Sequence, residues 1–276
     1  MKIIAESGST KTDWRCIGET SKSFNTVGLN PYFVSSDEVY MAIKDSFASL
    51  GNEEITEVHF YGTGITDESK ADIIKNGIRK VLKNRTEIFT YSDIIASARA
   101  LFGNYEGLAC ILGTGSNSCY WDGQMNSFQI PPLGFWLGDE GSGGHLGKTL
   151  ILDYLHKNLS EELNAKFISK YGTIDRLEIL NQAYSQPKPN KYFASFAPFL
   201  LENKEDYQCQ KLIIQSFDEF FAKYVLKYPN QSPIGFVGSI AHHFGDILTQ
   251  VAASHNLIIS KIVEKPIDAL VEFHQE

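Results

Sequence analysis

Two stretches of this chain follow one plan, and this internal repeat limits the folds that the chain can adopt. The stretches are KIIAESGSTKTDWRCIG, residues 2–18, and LACILGTGSNSCYWDG, residues 108–123. Each contains an apolar strand, a loop of glycine, serine and threonine, and a second strand with an aromatic residue. We therefore expect a duplicated α/β domain whose two loops face each other across a cleft. That arrangement suits a polyphosphate held from both sides.

The remaining segments alternate between strand and helix patterns, as an α/β fold requires. EVHFYG and EIFTYS are typical of strands, whereas SSDEVYMAIKDSFASLG and SKADIIKNGIRKVLKN show the helical spacing of apolar residues. From residue 107 the pattern predicts three strands with an Asp-Gly turn at 122–123, then a glycine-rich loop and a mostly helical region over 151–229. A strand, a Gly-Ser turn, a helix, a last strand and a closing helix complete the chain.

Net charge, hydropathy and cysteine spacing argue against several classes of protein. The 276 residues carry a net charge of −8, so no basic excess is present to displace the counterions of nucleic acid. No window approaches the roughly 20 apolar residues that cross a bilayer, and the N-terminus soon turns polar. We therefore expect a cytoplasmic protein without a membrane span or signal peptide. Four cysteines without CxxC spacing, and histidines without a ligand pattern, argue against disulfides and a structural metal.

The first loop, SGSTKT at 7–12, has two interpretations. Glycine and serine suit a tight hairpin between strands, and the spacing is not that of a Walker P-loop. Hydroxyl groups, a lysine and exposed backbone N–H groups also suit phosphate oxygens. The second loop, LGTGS at 112–116, allows the same two interpretations, with Thr114 and Ser116 as donors. The occurrence of both loops in one chain favours phosphate binding.

The segment GFWLGDEGSGG, residues 134–144, places five glycines around the adjacent carboxylates Asp139 and Glu140. One interpretation is a solvated acidic turn. The other is a functional segment, in which the carboxylates beside Trp136 hold sugar hydroxyls or reach the shell of a Mg²⁺ ion. The density of glycine, acidic and aromatic residues favours the functional interpretation.

Asp93 follows the strand EIFTYS and begins the helix DIIASARALFG. It is either a simple helix N-cap or a carboxylate kept ionised by the helix N-terminus, placed to accept a proton from a substrate hydroxyl. Spacing alone does not separate these roles. The turn in GFVGSIA, residues 235–241, suits either a flat ring against the backbone or ordinary strand–helix packing, and YGTGIT at 61–66 is similar but less specific.

Five motifs occur in an order that resembles the N-acetylglucosamine kinase family, within the BadF/BadG/BcrA/BcrD-type ATPases of the sugar-kinase, heat-shock-chaperone and actin superfamily. They are ESGSTKTDW, SDIIASARALF, LGTGSN, GFWLGDEGSG and GFVGSIA. The resemblance covers nearly the whole chain, and GDEGSG with GTGSN is its most specific part. It implies an α/β fold of two ribonuclease H-like (actin-like ATPase) domains around an interdomain cleft. The implied domains are 1–104 plus 263–276, and 105–262, because the closing helix resembles one that returns to the N-terminal domain.

The resemblance implies a kinase that uses ATP and Mg²⁺ to phosphorylate the 6-hydroxyl of an amino sugar. Among amino sugars, N-acetylglucosamine is the substrate that we expect. Asp93 matches the catalytic base of the family. The positions that match its sugar ligands are Asn30, Asn117 and Asp139. The positions that match its nucleotide contacts are Ser9, Thr10, Lys11, Thr12, Gly113, Thr114, Gly115, Ser116, Gly238 and Ser239. The implied partner is a small-molecule sugar, with neither nucleic acid nor membrane, and superfamily relatives are often homodimers.

The chain departs from the family pattern at the first loop. Glu6 stands where the family has an aspartate that reaches Mg²⁺ through water, and Ser7 and Ser9 replace two glycines. Because Mg²⁺ requires near-octahedral geometry, the additional methylene of Glu6 either shifts a bridging water or weakens the site. We expect Glu6 to contact the metal through water.

Three alternatives remain open at this point. A kinase for glucosamine or N-acetylmuramic acid would carry the same motifs. Activator ATPases of the same grouping bridge a [4Fe–4S] cluster with cysteines at glycine-rich helix ends, a setting that none of the four cysteines here has. A catalytically weak sugar or nucleotide sensor is the third alternative, and Glu6 is the residue that keeps it open.

Overall fold

A computed structural model describes residues 1–8, 10–19, 21–51, 53–82, 85–228 and 232–275. The described chain divides into two compact units. Unit 1 comprises residues 1–105, 122–126 and 265–276, and unit 2 comprises 106–121 and 127–264. The domain boundaries expected from the sequence stay a prediction.

Groups of strands and groups of helices follow one another along the chain, as the sequence pattern predicts. The strands are β1 (Lys2–Ser7), β2 (Lys11–Ile17), β3 (Lys22–Val27), β4 (Glu57–Gly62), β5 (Glu87–Ser92), β6 (Gly107–Leu112), β7 (Ser116–Trp121), β8 (Asn126–Phe128), β9 (Ile234–Val237) and β10 (Ile259–Val263). The first helices are α1 (Ser36–Ala48), α2 (Glu68–Arg79), α3 (Asp93–Phe102), α4 (Gly134–Leu137), α5 (Gly143–Leu155), α6 (Glu161–Tyr171) and α7 (Arg176–Tyr184). The later helices are α8 (Pro189–Ala194), α9 (Ala197–Glu202), α10 (Tyr207–Lys223), α11 (Ser239–His243), α12 (Gly245–Ser254) and α13 (Ile267–Phe273).

Unit 1 is built on a five-stranded sheet in the order β3-β2-β1-β4-β5. The β1 strand pairs antiparallel with β2 and parallel with β4, which pairs parallel with β5. Because side chains alternate between the faces of a strand, Ile3 and Ala5 of β1 pack into one core with residues of α1 and α2. Ile4 packs on the other face with residues of α3 and α13. Both faces are therefore covered, and this explains the unbroken apolar run that begins the chain.

Unit 2 repeats this plan in a second sheet, whose strand order is β10-β9-β6-β7-β8. Here β6 pairs antiparallel with β7 and parallel with β9. The repeated sequence stretches therefore form the same kind of hairpin in each sheet, and the α/β fold class is confirmed. The core of this unit is rich in fully buried phenylalanine, and each such side chain stabilises the fold by about 1.5–3 kcal/mol. These phenylalanines are Phe167, Phe199, Phe217, Phe220, Phe221, Phe236 and Phe244.

The glycine-rich segment at 134–144 contains one element that the sequence does not predict. Residues 134–137 form the short helix α4, which the Gly138 N–H closes by donating to the Gly134 carbonyl at 2.8 Å. The region over 151–229 is mostly helical, as predicted. None of the described helices has the length and apolar character needed to cross a bilayer.

A buried polar cluster anchors α13 to the sheet of unit 1. The Arg99 guanidinium donates to the Tyr61 hydroxyl at 2.6 Å, and this hydroxyl lies 2.7 Å from Nε2 of His274. The His274 ring is 3.9 Å from the ring of His59, between centroids. Burial, followed by the neighbouring His59 and Arg99, lowers the pKa of His274 to about 3, and burial also lowers the pKa of His59. Both rings are therefore neutral at pH 7, and the Tyr61 hydroxyl and His274 Nε2 share one hydrogen bond.

Because of this cluster, we expect the free energy of unfolding to fall in acid. The unfolded chain binds a proton at His274 near its ordinary pKa of 6.5, whereas the folded chain does so only near 3. The stabilising contribution of neutral His274 is therefore complete above pH 6.5 and declines as the pH falls towards 3. After allowance for partial exposure, we expect about 1 kcal/mol less stability at pH 5 than at pH 7 from this residue.

Urea denaturation of the wild type and of His274→Gln at both pH values tests this expectation. The variant should lose less of its free energy of unfolding on acidification. The exposed His156 provides the control, since His156→Gln should keep the pH dependence of the wild type. Equal acid sensitivity in His274→Gln and the wild type would contradict the prediction.

Candidate active site

The first loop of unit 1 joins β1 to β2, and part of it is held by its own side chains. Thr12 is fully buried, and its hydroxyl lies 2.8 Å from that of Ser7 and donates to the Val27 carbonyl at 2.9 Å. This hydroxyl therefore ties the hairpin to β3. Thr10 is exposed, and the half-exposed Lys11 ammonium lies 2.9 Å from Asp13 Oδ1. Ser9 lies outside the described residues, and the nucleotide contacts predicted for this loop stay a prediction.

Glu6 belongs to a group of carboxylates in unit 1. It stands directly opposite Asp13 in the register of β1 and β2. Burial raises the pKa of Glu6 to about 7, and the negative charges of Asp13 and Asp93 act in the same direction. Glu6 is therefore partly protonated at neutral pH unless a cation compensates the neighbouring charges.

Asp93 is the first residue of α3, and the N-cap is Ser92, which makes no side-chain capping bond. Thr63, just after β4, donates its hydroxyl to Asp93 Oδ2 at 2.8 Å. Burial raises the pKa of Asp93 above its ordinary value, while the bond from Thr63 and the helix backbone oppose that rise. The simple N-cap interpretation is therefore wrong. A carboxylate with a raised pKa at a helix start is a suitable proton acceptor.

Asn30 lies against the loop that holds Asp93. Its side-chain oxygen accepts the Tyr32 N–H at 2.9 Å, which stabilises the turn after β3. Gly64 has φ of +88°, and a Cβ atom there would collide with that same oxygen. Glycine is therefore required at this position, and the loop at 62–66 brings the predicted base and one predicted sugar ligand together.

The second loop, in unit 2, is held by the N-terminus of α5. The Gly143 N–H donates to the Gly113 carbonyl at 2.8 Å, and the Gly144 N–H donates to the Thr114 carbonyl at 3.0 Å. A Cβ atom at Gly144 would lie 3.0 Å from that Thr114 oxygen. The glycines of GDEGSGG thus permit a close backbone approach between the helix start and the loop.

Asp139 and Glu140 are both buried, so the interpretation of this segment as a solvated acidic turn is wrong. Asp139 Oδ1 accepts the Ser116 N–H at 3.1 Å, and burial raises its pKa. Burial would also raise the pKa of Glu140, but Lys223, with Nζ 2.7 Å from Oε1, reverses that shift. The Tyr224 hydroxyl donates to its Oε2 at 3.1 Å. Asp139 therefore positions the second loop, and Glu140 anchors the segment to α10.

Asn117, the third predicted sugar ligand, follows Ser116 on β7. Its side-chain oxygen accepts the Gln129 amide at 2.8 Å and the Ser118 N–H at 2.9 Å. Asp139 accepts the N–H of Ser116, the residue that precedes Asn117, and this contact places it near Asn117 in space. The described contacts thus link two of the predicted sugar ligands within unit 2.

A cavity of about 290 Å³ opens beside the second loop in unit 2. Its volume is near the lower end of the range for small-molecule pockets, about 300–1,000 Å³. Three of the predicted nucleotide residues line it: Gly113, Thr114 and Ser239. The remaining wall comes from Gly143 and from helices α8, α9 and α11, with the side chains of Ala194, Ala197, Pro198, Leu201, Ile240, His243 and Phe244. The wall is mostly apolar, which suits a flat ring.

Gly238 allows α11 to begin next to the second loop. Its φ is +122°, and a Cβ atom there would collide with the backbone carbonyl of Leu112 at the end of β6. Its N–H donates to the Val263 carbonyl at 3.0 Å. Gly238 therefore supports the cavity wall through its backbone.

Comparison with solved structures decides the family. A candidate N-acetylglucosamine kinase from Porphyromonas gingivalis is 35% identical to this chain, over 99% of this chain and 98% of that chain, with a TM-score of 0.90. The chain belongs to the N-acetylglucosamine kinase-like family. No protein-family model and no curated protein sequence matches it.

More distant structures agree with the fold of this kinase-like family. A candidate N-acetylglucosamine kinase from Chromobacterium violaceum is 17% identical over 99% of this chain and 98% of that chain, with a TM-score of 0.75. A ROK hexokinase from Thermus thermophilus is 12% identical over 95% of this chain and 92% of that chain, with a TM-score of 0.50. The ribonuclease H-like, actin-like ATPase fold is confirmed.

Sequence reasoning missed several residues of this kinase-like chain. Asp13 stands opposite Glu6, and the alternation of β2 offered a signal for it. Thr63 lies in YGTGIT, a segment for which the sequence suggested a flat ring against the backbone or ordinary packing rather than a contact with Asp93. Ala194 and Pro198 carry no signal in the sequence, because only helix packing brings them to the second loop.

The close approach at Gly238 predicts a specific loss of stability. Gly238→Ala places a methyl group against the Leu112 carbonyl in a backbone conformation that alanine disfavours. We expect a loss of about 2 kcal/mol or more in the free energy of unfolding. Gly113→Ala is the matched control, because its Cβ would meet no atom within 4 Å. Chemical denaturation measures both, and equal stability of the two variants would contradict this account.

Proposed function

We propose that this chain is an ATP-dependent sugar kinase that transfers the γ-phosphate to the 6-hydroxyl of an amino sugar, N-acetylglucosamine. The observation that carries the proposal is the 35% identity, over nearly the whole of both chains, to the candidate kinase from Porphyromonas gingivalis. The geometry around Asp93 and the cavity beside the second loop support it.

Phosphoryl transfer requires little covalent chemistry from the protein. In phosphoryl transfer, catalysis comes mostly from positioning and from stabilisation of charge. The sugar O6 forms a bond to the γ-phosphorus as the bond from that phosphorus to the β-phosphate oxygen breaks. The O6 proton passes to the Asp93 carboxylate. A carboxylate whose pKa is raised by burial accepts a proton more readily than an exposed one, and this supports Asp93 as the base.

The nucleotide is assigned to the second loop and its neighbouring cavity. The apolar wall formed by Ala194, Pro198 and Ile240 suits the faces of an adenine ring, and Ser239 begins α11 beside it. The backbone and hydroxyl groups of Thr114 and its neighbours suit phosphate oxygens. Gly115 allows this loop to approach closely, since a Cβ there would lie 2.9 Å from Asp139 Oδ2.

The sugar is assigned to Asn30, Asn117 and Asp139. Asn30 lies against the Gly64 backbone beside the base, and this position supports contact with a hydroxyl near O6. Asp139 is buried and carries a raised pKa, and it accepts the Ser116 N–H with one oxygen. Amide and carboxylate groups of this kind bind hydroxyls and the amide of an N-acetyl group.

Mg²⁺ fits the carboxylates of unit 1. Glu6 and Asp13 face each other on adjoining strands. Burial is the main cause of the raised pKa of Glu6, and the negative charges of Asp13 and Asp93, which a cation would compensate, add to it. In the part of the chain that the structure describes, no group of three or more His, Cys, Asp or Glu side chains could hold a metal alone. The ion would therefore take other ligands from phosphate oxygens and water, with Glu6 and Asp13 holding it through water. When bound, Mg²⁺ would neutralise part of the negative charge of the phosphates.

The proposed base is tested by Asp93→Asn in a coupled assay of ADP release with N-acetylglucosamine, glucosamine and N-acetylmuramic acid. The amide cannot accept the O6 proton, so we expect kcat to fall by about 10²–10⁴-fold. Asp37→Asn is the control, since Asp37 is an exposed residue paired with Lys80 and should leave turnover unchanged. The highest kcat/KM of the wild type is expected with N-acetylglucosamine.

The possible outcomes of this assay separate the claims. If the wild type shows no sugar-dependent turnover, the kinase proposal fails. If turnover of Asp93→Asn equals that of the wild type, the kinase proposal stands and the role of Asp93 is wrong. Preference for another amino sugar would correct the substrate alone.

The proposed nucleotide cavity is tested by Ala194→Leu. The larger side chain occupies part of the cavity, so we expect KM for ATP to rise about tenfold while KM for the sugar stays unchanged. Ala253→Leu, on the exposed side of α12, adds the same atoms elsewhere and should change neither constant. An unchanged KM for ATP in Ala194→Leu would show that the nucleotide does not bind in this cavity.

A further inference from the structure

The loop at 62–66 has a well-defined structure in unit 1, and the proposed function gives no role to its Thr63 side chain. It follows β4, whose last residue Gly62 pairs in register with Ser7 of β1 and with Ser92 of β5. Since these strands are parallel, the residues that follow them leave the sheet at the same edge. Thr63 and Asp93 therefore emerge side by side.

Thr63 is held by both its backbone and its side chain. Its N–H donates to the Ser7 carbonyl at 3.1 Å, and its hydroxyl donates to Asp93 Oδ2 at 2.8 Å. The first bond fixes the Thr63 backbone to the central strand. The second bond holds the Asp93 carboxylate in place relative to that strand.

The rest of the loop is also restrained. Gly64 lies in contact with Asn30, and the Thr66 hydroxyl lies 3.0 Å from the Tyr32 hydroxyl and donates to Asp67 at 3.0 Å. These contacts restrain the far end of the loop, whereas Thr63 itself is a rigid donor because its own N–H is bonded to the Ser7 carbonyl. A rigid donor restricts rotation of the carboxylate about its χ2 angle.

We propose that Thr63 is a positioning residue that fixes the plane of the Asp93 carboxylate, so that its oxygen faces the sugar hydroxyl whose proton it accepts. This inference rests on the proposed function. Substrate binding does not require the bond, because the bond acts on the carboxylate alone. Proton transfer does require it, because misplacement of a reacting group by about 1 Å can cost 100-fold in rate.

Thr63→Val tests the proposal, because valine has the shape of threonine and lacks the hydroxyl. We expect kcat to fall about 10- to 100-fold, while KM for the sugar and for ATP each change by less than about threefold. Thr63→Ser restores the donor and should recover most of kcat. Thr66→Val is the matched control, since the Thr66 hydroxyl contacts Tyr32 and Asp67 rather than the base.

Steady-state kinetics with N-acetylglucosamine and thermal unfolding are measured for all four proteins. A fall in kcat for Thr63→Val, with rescue by Thr63→Ser and an unchanged melting temperature, supports the proposal. An unchanged kcat overturns it, and so does a fall in kcat that Thr66→Val reproduces or that Thr63→Ser does not relieve. Absence of turnover in the wild type is a different result, because it would contradict the proposed kinase function rather than the role of Thr63.

Discussion

The parallel register of the central strands is the constraint on which the candidate site in each unit depends. In unit 1, Ser7, Gly62 and Ser92 are aligned across β1, β4 and β5. The chain therefore leaves all three strands at one edge, and Thr63 meets Asp93 there. A shift of one residue in this register would reverse the faces of the strand and remove both the core contacts of β1 and the bond to the base.

The same principle operates in unit 2, where β6 and β9 are parallel and Ile111 is aligned with Val237. The residues that follow are the second loop and Gly238, whose backbone touches the Leu112 carbonyl. The start of α5 then binds the second loop through backbone hydrogen bonds. Glycine is needed at these positions because two backbones approach more closely than a Cβ atom allows.

Neighbouring groups give the buried carboxylates of this chain different roles. Glu140 is neutralised by Lys223 and bonded by Tyr224, so its charge is used to hold the segment to α10. The partly exposed Asp93 and the buried Asp139 have no ion pair of that kind among the described contacts, and desolvation raises the pKa of each. Burial without compensation keeps a carboxylate available for a substrate, whereas compensation makes it structural.

The sequence by itself determined the α/β class, the repeated hairpin and the presence of a turn within 7–12 and within 112–116, because local periodicity and glycine content dictate these features; the strands extend into both segments. The family motifs added Asp93 as a candidate base. Only the tertiary structure showed that Thr63 contacts Asp93 and that the Asp139–Glu140 segment is buried. It alone brought α8 and α9 to the wall of the cavity. These features come from strand register and helix packing, which join residues distant in the chain and therefore leave no local pattern in the sequence.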